Sequence, residues 1–150
     1  MKKRQIDIKV NIQACSGCRL CEISCSLSHE KVVNLAKSRV RVSDDYDHSL
    51  FIPHICQLCP NPPCVITCPT GALSQNPDTG VIWVNQEACT GCGRCAEDCP
   101  YGAIWYNKEF KQLFVCDRCE GQPGQPQCIQ FCYANALQLV SAVGEAAILA

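Results

Sequence analysis

Residues 89–100 read Cys89-Thr90-Gly91-Cys92-Gly93-Arg94-Cys95-Ala96-Glu97-Asp98-Cys99-Pro100. Four cysteines spaced C-x2-C-x2-C-x3-C, with proline after the last, are the ligand run of a 4Fe–4S cluster. The same reading extends outward to every other cysteine. The sixteen cysteines among 150 residues form four quartets: Cys15, Cys18, Cys21 and Cys25; Cys56, Cys59, Cys64 and Cys68; Cys89, Cys92, Cys95 and Cys99; Cys116, Cys119, Cys128 and Cys132. Each opens with C-x2-C and closes with C-x3-C. The first matches the third in spacing. The second is C-x2-C-x4-C-x3-C, stiffened by Pro60, Pro62 and Pro63, and the fourth is C-x2-C-x8-C-x3-C, its wide gap filled by a Pro/Gly/Gln loop over 120–127.

Three thiolates at this spacing curl around one face of a cubane, because each two-residue gap is a tight turn. The fourth ligand must come from elsewhere in the chain, and in two-cluster ferredoxins the closing cysteine of each run ligates the other cluster. Zinc is the competing reading of any C-x2-C pair, but four sites with third and fourth cysteines at cluster spacing argue against it. Disulfides need an oxidising compartment and export. In MKKRQIDIKVNIQAC the charges of Asp7 and Lys9 interrupt the apolar run that a signal would place after Lys2, Lys3 and Arg4. A cytoplasmic chain with reduced thiols is therefore expected.

Quartets two and three are adjacent and both close with Cys-Pro followed by Gly-Ala; Cys25-Ser26 and Cys132-Tyr133 lack the proline. That contrast predicts nesting. Cys15, Cys18, Cys21 and Cys132 would hold one cluster, and Cys116, Cys119, Cys128 and Cys25 its neighbour. Inside, Cys56, Cys59, Cys64 and Cys99 hold a third, and Cys89, Cys92, Cys95 and Cys68 the fourth. Sequential pairing of the first quartet with the second and the third with the fourth is the rival arrangement. The expected fold is α+β, small and loop-rich, with an outer ferredoxin-like unit over 1–50 and 112–150 and an inserted inner unit over 51–111.

The local pattern agrees with such a fold. Cys68-Pro-Thr-Gly-Ala-Leu73 and Cys99-Pro-Tyr-Gly-Ala-Ile104 are copies of each other, and Cys132-Tyr-Ala-Asn-Ala-Leu137 is a weaker third. Turn chemistry over 76–80 leads into a strand over 81–84, and 104–106 with 113–115 reads as a hairpin. Residues 6–10 and 39–42 alternate as strands. The cysteine loops are expected to be irregular wrapping backbone, with short helical turns following the closing cysteines, for example over 95–99. Four Phe, four Tyr, two Trp and one Met make a thin core, so clusters must tie the chain together. The terminal Ala146-Ala-Ile-Leu-Ala150 reads as a packing tail, and no apolar stretch of about 18 residues provides a membrane anchor.

With all four motifs in view, the chain resembles the four-cluster ferredoxin-like electron-transfer subunits of molybdenum and tungsten oxidoreductases, the dimethyl sulfoxide reductase and formate dehydrogenase type. Cys15-Ser-Gly-Cys18-Arg-Leu-Cys21-Glu-Ile-Ser-Cys25-Ser-Leu-Ser-His29-Glu30 is similar to their opening motif, and Cys56-Gln-Leu-Cys59 through Cys64 and Cys116-Asp-Arg-Cys119 extend the likeness over about 11–139. Within the group it is most like the small iron–sulfur subunit of bacterial tungsten aldehyde oxidoreductases. The resemblance implies four 4Fe–4S clusters in a row, with nested ligation. Electrons would pass from the cluster of Cys15, Cys18 and Cys21 to that of Cys116, Cys119 and Cys128, then across the inner pair. It implies a catalytic tungsten or molybdenum partner and a second redox partner such as a flavoprotein, with no catalytic residue in this chain. A free polyferredoxin with transient partners is the alternative, and copies joined end to end are a further option for a row with two active ends.

Charge and the remaining motifs exclude other classes. The formal charge is −1, and each oxidised cluster with its thiolates adds a site of about −2 in place of neutral thiols, bringing the chain to about −9. A nucleic-acid footprint is absent. Gly91-x-Gly93-x-x-Ala96 formally matches a dinucleotide fingerprint, but it contains two cluster ligands and lacks strand–helix context. His29, His48 and His54 are too scattered for a histidine metal site. His29 is read as structural, with potential tuning as the sharper option. Trp83, Trp105 and Tyr106 are assigned to hairpin packing, Asp44, Asp45 and Asp47 to a solvated loop, and Lys2-Lys3-Arg4 to a solvated tip.

Overall fold

The computed structural model describes residues 6–141. The basic tip at 2–4 and the tail at 146–150 lie outside the described residues. The structure is a small α+β arrangement of eight short strands paired antiparallel in twos, with short helices between them. The strands are β1 (Ile6–Val10), β2 (Arg41–Asp45), β3 (Leu50–His54), β4 (Leu73–Gln75), β5 (Ile82–Val84), β6 (Ile104–Asn107), β7 (Gln112–Val115) and β8 (Leu137–Ser141). Consecutive strands form the hairpins β2–β3, β4–β5 and β6–β7, while β8 returns to β1 with Ile8 opposite Leu139. The first and last described strands are thus one sheet. The β2–β3 hairpin spans residues 50 and 51, and the β6–β7 hairpin spans 111 and 112.

The order has a fourfold rhythm. A strand runs into a cysteine loop, the third cysteine sits on a helix, and the chain leaves into the next strand. The helices are α1 (Leu20–Glu30), α2 (Pro63–Ile66), α3 (Arg94–Glu97) and α4 (Gln127–Gln130). They carry Cys21, Cys64, Cys95 and Cys128, all buried. The closing turns repeat as well: Gly71, Gly102 and Asn135 donate to the carbonyls of Cys68, Cys99 and Cys132 at 3.3, 3.2 and 3.0 Å. All three are left-handed, with φ of 65°, 58° and 53°. Asparagine is among the few side chains that tolerate this conformation, so the weaker third copy makes the same turn. Behind each turn the next two residues, Ala72-Leu73, Ala103-Ile104 and Ala136-Leu137, are buried at the start of a strand.

Several local expectations are corrected. The first quartet is not irregular wrapping: α1 is an 11-residue helix that includes Cys21 and Cys25. The other helical turns are four residues each and end before the closing cysteine, not after it. The strand expected over 39–42 begins at Arg41, because Ser38 ties up the chain at 38–40, donating to the Val40 carbonyl and accepting from its N–H. Asp44 and Asp45 lie in β2, where Asp44 pairs with Arg19 and Asp45 with His48. Trp83 is 52 % exposed and donates to Glu120, whereas Trp105 is buried and carries Arg41 over its ring at 5.0 Å.

Candidate metal centre

Each C-x-x-C loop turns through a left-handed residue just before its second cysteine. Gly17, Leu58, Gly91 and Arg118 hold φ of 70°, 49°, 69° and 56°. In two loops the reason for glycine is also steric. A Cβ on Gly17 would lie 2.5 Å from the Phe51 ring, and one on Gly91 2.6 Å from that of Tyr106. Gly91→Ala adds that clash to left-handed strain, at an expected total of about 2 kcal/mol. Less iron per chain and faster cluster loss on warming, measured by the decay of visible absorbance, are expected. An unchanged decay rate would show that the loop can shift without cost.

The loops and helices gather the cysteines into sets drawn from different quartets. Cys68, Cys89, Cys92 and Cys95 line one cavity. Cys25, Cys116, Cys119 and Cys128 line a second, and Cys56, Cys59, Cys64 and Cys99 a third. Cys132 lies close enough to Cys15 and Cys21 for its charge to raise both thiols, after the larger effect of burial. The sets also neighbour one another. Burial chiefly raises Cys128, Cys116 and Cys64, and each is raised further by a cysteine of an adjacent set: Cys21, Cys56 and Cys95 respectively.

Burial pushes Cys21, Cys64 and Cys116 up to about 12 and Cys95 to about 11. Such thiols stay protonated unless a cation takes the place of their protons, which is the chemistry of thiolate ligands to iron. The backbone is arranged for the ionised form. Amides of Arg39, Ala103 and Arg118 donate to the sulfurs of Cys25, Cys99 and Cys116 at 3.3, 3.5 and 3.4 Å. Cys68 is raised by what burial it has, but the N–H groups of Leu73, Thr70 and Ala72 and the Thr70 hydroxyl bring it below the usual thiol range. The residues present fit iron–sulfur clusters.

One polar network was not anticipated in this form. His29 Nδ1 donates to the Cys25 carbonyl at 2.9 Å and Nε2 to Asp117 Oδ1 at 3.0 Å. Neither acceptor carries a proton to give, so both ring nitrogens are protonated. Burial opposes that charge, yet hydrogen bonding to Asp117, Cys119 and Cys25 raises His29 to about 12. Asp117 also pairs with Arg39, and although burial raises its carboxyl, His29 and Arg39 hold it below the usual range. His29, Asp117 and Cys119 cluster tightly, but a doubly protonated imidazole has no lone pair for a metal. His54 instead ties the β2–β3 hairpin to the turn at Tyr101, donating to the Tyr101 carbonyl at 2.8 Å and accepting from Ser43 Oγ at 2.8 Å. The sequence signal for Asp117 and Arg118 was their place in the opening C-x-x-C gap of the fourth quartet, since the opening gaps of the other three carry no charge.

Residues 48–142 match the 4Fe-4S dicluster domain family, a span that includes quartets two, three and four. The chain belongs to that family. As a member of the dicluster family it is an iron–sulfur electron-transfer protein carrying multiple 4Fe–4S clusters, and sixteen cysteines supply ligands for four. It is 38 % identical to the aliphatic sulfonate oxidoreductase, polyferredoxin-like subunit of Pyrococcus furiosus, over 93 % of this chain and 80 % of that protein. It is 30 % identical to the probable anaerobic dimethyl sulfoxide reductase chain YnfG of Escherichia coli (strain K12), over 86 % of this chain and 70 % of that one. Among solved structures, a chain of the active site complex BamBC of benzoyl coenzyme A reductase in complex with benzoyl-CoA aligns with a TM-score of 0.53 and 25 % identity, covering 93 % of this chain and 82 % of its own. Among the described residues no helix is long and apolar enough to cross a membrane.

Proposed function

We propose that this dicluster-family chain is the relay subunit of a cytoplasmic oxidoreductase complex, passing electrons between a catalytic tungsten or molybdenum subunit and a second redox partner, such as a flavoprotein. Four nested clusters form the row: Cys15, Cys18, Cys21 and Cys132; then Cys25, Cys116, Cys119 and Cys128; then Cys56, Cys59, Cys64 and Cys99; then Cys68, Cys89, Cys92 and Cys95. Each 4Fe–4S cluster, when bound, accepts and returns a single electron. The chain holds and spaces these carriers and performs no substrate chemistry itself.

The observation that carries this reading is the order of neighbours. The charge of Cys21 reaches Cys128, that of Cys56 reaches Cys116 and that of Cys95 reaches Cys64, which supports reading the four sets as one line. The two exposed cysteines, Cys18 and Cys92, belong to the two terminal sets. A line that is sealed in its middle and open at both ends suits conduction between two partners. The outer unit over 1–50 and 112–150 and the inner unit over 51–111 then meet through the β2–β3 and β6–β7 hairpins, and β1–β8 closes the outer unit.

Anaerobic affinity purification of the tagged chain in high salt tests the proposal. A tungsten- or molybdenum-containing subunit should remain bound, because stable subunit interfaces are large whereas transient redox encounters are small and electrostatic. Recovery of the loaded chain alone would reject the relay subunit in favour of a free polyferredoxin. Native mass of the same complex counts the copies and tests end-to-end joining.

A further inference from the structure

Arg118 holds the position that glycine occupies in the first and third cysteine loops, and it does so at φ 56° with its residue only 4 % exposed. Left-handed backbone disfavours any side chain with a Cβ, so something about this side chain must compensate. Arg19 and Arg39 each meet carboxylates, but no described carboxylate pairs with Arg118. Its Nη2 crosses to the second quartet and donates to the Cys56 carbonyl at 2.6 Å. Its Nε and Nη1 are buried without a partner among the described residues. A buried guanidinium with two unused donors and no counter-anion is unfavourable unless negative charge and acceptors come from elsewhere.

Arg118 lines the cavity of Cys25, Cys119, Cys128 and Cys116, and its Nη2 reaches across to the backbone of Cys56. Burial pushes the Cys116 and Cys56 thiols up, and the Arg118 charge pulls both back. These two cysteines belong to different sets, those of the second and third sites in the row. Leu58, the counterpart in the loop of Cys56, is equally buried but apolar, so the cation stands on one side of the junction and serves both.

We propose that Arg118 is the electrostatic junction of the relay: its guanidinium lies between the second and third clusters, offers Nε and Nη1 to their sulfur, and holds both reduction potentials up. The proposal rests on the nested relay described above. Without the cation, adding an electron to either cluster would place more negative charge beside a neighbour already at about −2. Exchange between the two clusters moves one electron, breaks no bond and transfers no proton, since arginine stays protonated throughout.

The test is a potentiometric titration of the full chain, followed by electron paramagnetic resonance, for wild type, Arg118→Gln and Arg118→Lys. In Arg118→Gln two of the four potentials should fall, each by about tenfold in its reduction equilibrium or about 59 mV for a one-electron couple. Arg118→Lys should recover part of the shift, since it keeps the charge but not the planar donors. Iron and sulfide analysis runs alongside. A wild-type chain that does not carry four clusters would sink the relay reading itself. Four clusters with all potentials unchanged in Arg118→Gln, or with all four shifted alike, would overturn the role of Arg118 alone. If Arg118→Gln fails to retain its clusters, the lysine variant decides: two selectively shifted potentials support the junction, and four wild-type potentials reject it.

Discussion

Stripping iron and sulfide from this chain is expected to unfold it, abolishing its entire folding stability, on the order of 5–15 kcal/mol for a domain of this kind. Among the described residues the buried apolar set contains seven cysteines, with Trp105 and Phe114 as its only buried aromatic side chains. Each sheet has two strands, and a two-stranded hairpin is marginal by itself. Among the described residues the longest helix has 11 residues and the other α-helices four, below the ~12–15 at which isolated helices become even marginal. With the clusters gone, their ligands revert to thiols and each set loses the centre around which its loops are wound. Far-UV circular dichroism and limited proteolysis, before and after anaerobic chelation, check the expectation. Native-like resistance to protease in a compact, cluster-free chain would defeat it and shift the credit to hydrophobic packing.

The features legible in the sequence are those set by neighbours along the chain. The closing turns at Gly71, Gly102 and Asn135 could be read from the repeated motif, because a left-handed turn needs only the right residue in the right place. The β6–β7 hairpin was legible for the same reason: two apolar runs around a polar turn. Helix α1 was hidden because polar side chains occupy its inner face. Glu22 is 3 % exposed, accepting from the Val42 amide and paired with Arg19, and Ser26 is fully buried, its hydroxyl donating to Ile23. An apolar-periodicity search cannot see a helix packed through hydrogen bonds. Strand β3 was masked by Pro53, which a search for strands counts against it.

Residues that surround the ligands were the hardest to foresee, since their roles depend on partners remote in sequence. His29 meets Asp117 across 88 positions, Arg39 meets Asp117 across 78, and Arg118 reaches Cys56 across 62. Nothing local distinguishes His29 from a surface histidine late in a helix. Only the folded chain brings an imidazolium, a carboxylate and two guanidinium groups around Cys25, Cys116 and their neighbours. Ligand residues announce themselves by spacing; the groups that set their electrostatics do not.

Removing one closing cysteine should free thiols far away in the sequence, and their identity tells nested from sequential ligation. In Cys132→Ala the expected losers are Cys15, Cys18 and Cys21, because Cys132 lies beside Cys15 and Cys21. Iron should fall by about four per chain, one whole cubane. Sequential pairing makes a different demand: Cys132 would then serve the third quartet, and Cys89, Cys92 and Cys95 would be released. Brief alkylation under anaerobic conditions, followed by peptide mass mapping, separates the two. Cys18 is already exposed, and the Cys132 side chain is only partly buried, so the substitution disturbs little besides ligation. Cys99→Ala supplies the internal control. Nested ligation releases Cys56, Cys59 and Cys64, whereas sequential ligation releases Cys116, Cys119 and Cys128. Labelling at the sequential positions in both variants would overturn the nested row and, with it, the placement of Arg118 at its centre.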